Sequence, residues 1–192
     1  MASNDVLVAS PATGTGGILA GPLGTPVPTD TATPLDAALV KHGYVGEDGL
    51  SMTTNRSTEK IRAWGGDTVR VVQTEHDVTF SWTFLETTAV TAAAVYGDDN
   101  VTATAATSTV GNLLAIKVNS DTLPPKVHVF DMKDGDKKVR VVVPNGQITE
   151  VGDTQFVHSN ATGHEVTLEA FPDASGNKAY IYSDDGQITT GA

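Results

Sequence analysis

The 192-residue chain carries 23 acidic against 12 basic residues, a formal net charge of −11, with 39% hydrophobic and 18% charged side chains. Its length suits one domain, and the acid excess excludes a conventional nucleic-acid coat, which needs a basic face to release counterions. Lacking cysteine, the chain offers no disulfide framework, thiol nucleophile or thiolate metal site.

Thr, Ser, Gly and Ala fill the space left by bulky and charged residues, a profile that suits strands better than a helical bundle. The opening residues Met1-Ala2-Ser3-Asn4-Asp5 carry no basic leader. No apolar run reaches the roughly 18 residues a membrane span requires. Neither secretion nor a bilayer is expected.

Residues 1–40 hold five of the nine prolines (Pro11, Pro22, Pro26, Pro28 and Pro34) and only acidic charges, Asp5, Asp30 and Asp36. Proline removes a backbone donor and glycine raises chain entropy, so this segment is expected to be an extended arm that orders against something else. Residues 42–67 read as one long connection, from His42-Gly43-Tyr44-Val45-Gly46-Glu47-Asp48-Gly49 through Asn55-Arg56-Ser57 to Trp64-Gly65-Gly66-Asp67, with room for a helical turn at 58–64. A segment of this length without a core of its own is usually functional or mobile.

From Thr68 the period changes to two. A strand is expected at 68–74 and a second at 77–86, where Val78, Phe80, Trp82 and Phe84 share one face and Thr79, Ser81 and Thr83 the other. The first four are the expected core. Residues 87–97 are Ala-rich and end on Gly97, which predicts the one helix. Further strands are expected at 113–118, 126–132, 139–144, 147–151, 165–171 and 178–183, with hairpin turns at Asp134-Gly135-Asp136 and Ser175-Gly176-Asn177. The fold class is mainly β: one sandwich or open barrel of about eight strands over residues 41–192, flanked by one helix.

Sites for chemistry are scarce. Gly14-Thr15-Gly16-Gly17 lacks the lysine and strand-to-helix setting of a phosphate loop, and no nucleophile elbow occurs. His128, His158 and His164 lack zinc-protease spacing and read as surface or interface residues. The acidic turns do not follow a calcium-loop spacing. Lys133, Lys137, Lys138 and Arg140 crowd one turn, where acidic neighbours offset them. No catalytic residue, cofactor or metal ligand is expected.

The order Gly43-Tyr44-Val45-Gly46-Glu47-Asp48-Gly49-Leu50, Arg56-Ser57-Thr58-Glu59-Lys60-Ile61-Arg62-Ala63-Trp64-Gly65-Gly66-Asp67, Val71-Val72-Gln73-Thr74 and Phe80-Ser81-Trp82-Thr83-Phe84-Leu85-Glu86 resembles the major tail proteins of long-tailed bacteriophages, particularly those of actinobacterial hosts. The Ala-rich helix with Tyr96-Gly97-Asp98 fits the same pattern. The resemblance implies a non-enzymatic β-sandwich that forms hexameric rings stacked into a tube for the genome. It implies as partners other copies of the chain, tape measure, tail terminator and tail tip proteins, and DNA that passes without specific binding. The virion tail is the implied location, with assembly in the host cytoplasm. Glu47, Asp48, Arg56, Glu59, Lys60, Arg62 and Trp64 are the expected contacts between subunits. A small β-sandwich binding module for carbohydrate or surface adhesion is the alternative, though it should expose more aromatic side chains.

Overall fold

The structure, a computed structural model, describes residues 6–14, 16–159 and 161–187. The ends of the two segments expected at 1–40 and 41–192 therefore lie partly outside the described residues. In chain order the strands are β1 (Ser10–Pro11), β2 (Ile18–Pro22), β3 (Val40–Lys41), β4 (Ser51–Arg62) and β5 (Thr68–Phe84). Helix α1 (Ala89–Tyr96) follows, then β6 (Val101–Thr104), β7 (Leu113–Ile116), β8 (Lys126–Asp134), β9 (Lys137–Val151), β10 (His164–Ala170) and β11 (Tyr180–Asp184). Nine strands form one antiparallel sheet in the order β3-β2-β8-β9-β10-β5-β4, with β1 on β8 and β11 on β9; β6 and β7 form a separate pair. The mainly β expectation holds, with eleven strands in place of about eight.

The large sheet rolls upon itself. Strands β9 and β10 separate β5 from β8, which in a flat sheet would hold them roughly 14 Å apart. Yet the rings of Phe80 and Phe130 stack at 5.3 Å, and Trp82 meets Phe130 edge-on at 5.5 Å. Inside the roll lie Ile18, Val78, Phe80, Trp82, Phe84, Phe130, Val141, Val143, Val166 and Leu168, so the four core residues expected from alternation are all buried. Ala94 and Val95 of α1 join the same cluster.

Thr88 starts that helix as a reciprocal cap: the Thr91 backbone N–H donates to its Oγ1 at 3.2 Å, while its own N–H donates to Thr91 Oγ1 at 2.8 Å. Gly97 ends it with φ of 95°, a left-handed value that a side chain would resist.

Three expectations need correction. The described part of residues 1–40 is not an arm awaiting a partner, because β2 pairs with β8 inside the sheet and Ile18, Leu19 and Ala20 are buried. On the convex side, Leu19, Val127, Val129 and Val142 form a second cluster with Leu39, against which Val27 and Leu35 also pack. Arg140 locks this cover: it makes a paired salt bridge to Asp131 (2.7 and 3.0 Å) and donates to the carbonyls of Asp30 (2.9 Å) and Thr33 (2.8 Å).

Residues 42–67 are not one loop, and no helical turn stands at 58–64. Strand β4 occupies most of the segment and pairs with β5 from Ser51↔Ser81 to Arg62↔Thr68. Lastly, Ser175-Gly176-Asn177 makes a turn but no hairpin, because β10 and β11 both pair with β9, on successive stretches of it. The stretches 139–144 and 147–151 are one strand, and Pro144 sits where its register to β8 shifts, where a missing donor is tolerated.

Candidate assembly surface

Most histidines face inward. His42, His128 and His164 are all buried, which corrects the surface reading of His128 and His164; His158 is exposed. Burial pushes His42 down to about 4 and His128 down to about 3, and it also lowers His164. His128 Nδ1 lies 3.2 Å from the Lys126 carbonyl, and His164 Nδ1 lies 3.1 Å from Thr154 Oγ1. Among the described residues no three His, Asp or Glu side chains converge as metal ligands, and no helix is long and apolar enough to cross a membrane.

The chain's conspicuous surfaces are built from strands. Along β4 and β5 burial ends at Val78, and every residue from Ser51 to Glu75 is exposed. At about 3.3 Å per residue, the ten residues from Thr68 to Asp77 carry the hairpin roughly 33 Å past the core. Both of its faces are open, and Ile61, Trp64, Val69, Val71 and Val72 are apolar and exposed there. Among the described residues the outer edge of β4 has no neighbour in the sheet order, so it presents a row of unpaired backbone groups.

The second surface is the convex face beside the N-terminal cover. Directly opposed residues share a face, so Ser51 with Ser81, Thr53 with Thr79, Asn55 with Asp77 and Ser57 with Glu75 lie together. Strand β10 extends this face with Glu165 opposite Thr83, Thr167 opposite Ser81 and Glu169 opposite Thr79. Glu150 of β9 follows, opposite Thr167. These residues are hydroxyls, carboxylates and one amide, with Lys178 brought over by its ion pair to Asp77 at 3.4 Å. Hydration of such a face costs nothing in core packing, because the apolar residues of the same strands point the other way.

The predicted contact residues divide between two places. Arg56, Glu59, Lys60 and Arg62 lie along β4, and Trp64 stands fully exposed at the hairpin tip, where Arg62 Nη1 donates to the Gly66 carbonyl at 3.0 Å. Glu47 and Asp48 occupy a turn at the other end of β4, where the Gly46 N–H donates to the Thr83 carbonyl at 2.8 Å. The structure does not bring these two groups together within one subunit. Arg140, grouped by sequence with the turn lysines, is instead buried under the N-terminal cover. The carboxylates of β9 and β10 escaped the sequence reading of the site, although the alternation Glu165-Val166-Thr167-Leu168-Glu169 marks their face.

A long unpaired edge and a coreless hairpin are the physical marks of a β-protein that assembles. The whole chain, residues 1–192, matches the family described as phage tail tube protein, and the chain belongs to that family. It is a structural subunit of the phage tail tube, located in the virion tail and assembling with copies of itself and other tail components. Among solved structures it is similar to the tube-terminating cap of the anti-feeding prophage, with 15% identity, TM-score 0.43 and coverage of 96% of this chain and 100% of that one. It is also similar to a chain of the PVC sheath-tube complex, an extracellular contractile injection system in its extended state. There the identity is 7%, the TM-score 0.41, and coverage 87% of this chain and 88% of that one. No curated protein matches the sequence.

Proposed function

We propose that the subunit forms hexameric rings that stack around a bore for duplex DNA and performs no catalysis. Its convex face of β4, β5 and β10 lines that bore. The carrying observation is that this hydroxyl and carboxylate face runs without interruption to the unpaired edge of β4. A folded chain of this length has a radius of gyration of about 16 Å, too small to enclose a duplex alone. A ring of subunits joined along sheet edges can do so. Glu75, Asp77, Glu150, Glu165 and Glu169 would then repel passing phosphates, and DNA would move without bonds to break.

The β4–β5 hairpin makes the contacts between subunits. A two-stranded ribbon without a packed face is marginal alone, and cover by a neighbour supplies the missing packing. Arg56, Lys60 and Arg62 at its distal part would meet carboxylates of the adjoining copy. Glu47 and Asp48, at the other end of β4, are suitably placed for a head-to-tail repeat. Tape measure, tail terminator and tail tip proteins are the further partners this reading implies, with assembly in the host cytoplasm. Negative-stain microscopy of concentrated pure protein tests it: rings or tubes with six-fold end views are expected, and a strictly monomeric protein across salt and concentration series would contradict it.

A further inference from the structure

One groove on the subunit body is apolar, open and otherwise unexplained. It has a volume of about 440 Å³ and lies between β2, β3 and the α1 helix, with Pro124, Pro125 and Lys126 along its far wall. Leu23, Val40 and Val90 are respectively 54%, 47% and 37% exposed, and all three converge on it. His42 also lines the groove, with its ring buried. At the rim stands Asp98, whose side chain is 62% exposed despite its 2.8 Å ion pair with Lys126. Asp99 follows it.

Trp64 is the complement of that groove. It is fully exposed at the hairpin tip, and an indole carries a large apolar surface with a single N–H donor that needs an acceptor when buried. Arg62, two residues earlier, adds a positive charge to a rim where Asp98 and Asp99 stand beside Lys126. The same subunit cannot satisfy both parts, because the tip stands roughly 33 Å beyond the last core residue of β5.

We infer that Trp64 of one copy seats in the His42 groove of the next, with Arg62 facing the Asp98–Asp99 rim. Each subunit carries one knob and one socket, so the contact is heterologous and propagates from copy to copy. A buried tryptophan with an adjacent arginine is a common composition for the few residues that dominate an interface. This inference rests on the hairpin being a contact between subunits, and its test separates the two.

The full-length chain with the photo-reactive residue p-benzoylphenylalanine in place of Trp64 would be co-assembled with excess wild-type protein and irradiated, and the cross-linked peptides mapped by mass spectrometry. Cross-links to 38–42, 90–98 or 124–126 of another copy are expected. Cross-links confined to other surfaces, or none between copies, would overturn the socket assignment. In parallel, Trp64→Ala should raise the protein concentration needed for assembly at least tenfold, while Trp64→Phe, which keeps an aromatic side chain, should raise it less. Impaired assembly of Trp64→Ala with cross-links elsewhere removes the groove and keeps the hairpin. Normal assembly of Trp64→Ala removes both.

Discussion

Two residue-scale features hold this subunit in one form, a neutral histidine pair inside and an arginine clamp outside. His42 stacks on Phe84 at 5.6 Å, and His128 tilts against Trp82 at 6.3 Å. Their folded-state values, about 4 and about 3, lie below the ordinary 6.5, so the unfolded chain binds more protons as pH falls. The stability that goes with keeping them neutral is present above pH 6.5 and is lost as pH falls from there toward 4 and then 3. Each histidine contributes at most about 1.4 kcal/mol per pH unit within its window. Urea unfolding of the unassembled protein should therefore show stability falling between pH 6.5 and 4. His128→Leu should flatten that slope, and an unchanged slope would deny the histidine its part. Arg140→Ala leaves Asp131 without its partner and two carbonyls without a donor, for an expected loss of about 3 kcal/mol. Hydrogen exchange should locate the first loosening at residues 30–39. These contacts were not legible in the sequence, because nothing in the turn around Lys133 and Lys138 marks Arg140 as facing a segment more than a hundred residues away.

Among the elements, legibility followed burial. Strand β5 announced its inner half because Val78, Phe80, Trp82 and Phe84 must alternate when one face is buried. Its outer half read as a separate strand at 68–74, whereas β4 has no buried face, so residues 51–62 carry no apolar period and resembled a loop. Strand β2 was hidden differently: its run Ile18-Leu19-Ala20 is buried on both faces, the prolines around it suggested an arm, and β8 supplies its pairing from far along the chain. The acid face was half legible, since Thr79, Ser81 and Thr83 read as wet while the contribution of β10 depended on topology. If that face lines the bore, Glu165→Lys with Glu169→Lys should leave tube formation near normal, because neither residue packs in the core. DNA delivery by phage carrying both changes should fall steeply, by tenfold or more, in an infectivity assay. Normal infectivity would place the face elsewhere. The hairpin's charges imply a further effect: exposed ion pairs weaken with salt, so assembly held partly by Arg56, Lys60 and Arg62 should need more protein at 1 M than at 0.1 M salt.

For the whole molecule, residues 18–39 are part of the fold, and removing them should unfold more than it frees. Deleting residues 1–35 would strip β8 of β2 and leave Val127, Val129 and Val142 without much of their cover. Loss of soluble, cooperatively unfolding protein is the expected result, and a well-folded truncated domain in circular dichroism and thermal melts would contradict it. The same rolled sheet then serves two purposes by its two sides. The concave side holds the core, and the part of the convex side left uncovered by residues 23–39 is free to face a channel. The most direct measurement is a cryo-electron microscopy map of the assembled tube. We expect Glu75, Asp77, Glu165 and Glu169 to point into the bore, with the β4–β5 hairpin reaching a neighbouring subunit. A bore lined instead by Lys133, Lys137 and Lys138, with the acidic face turned outward, would contradict the account.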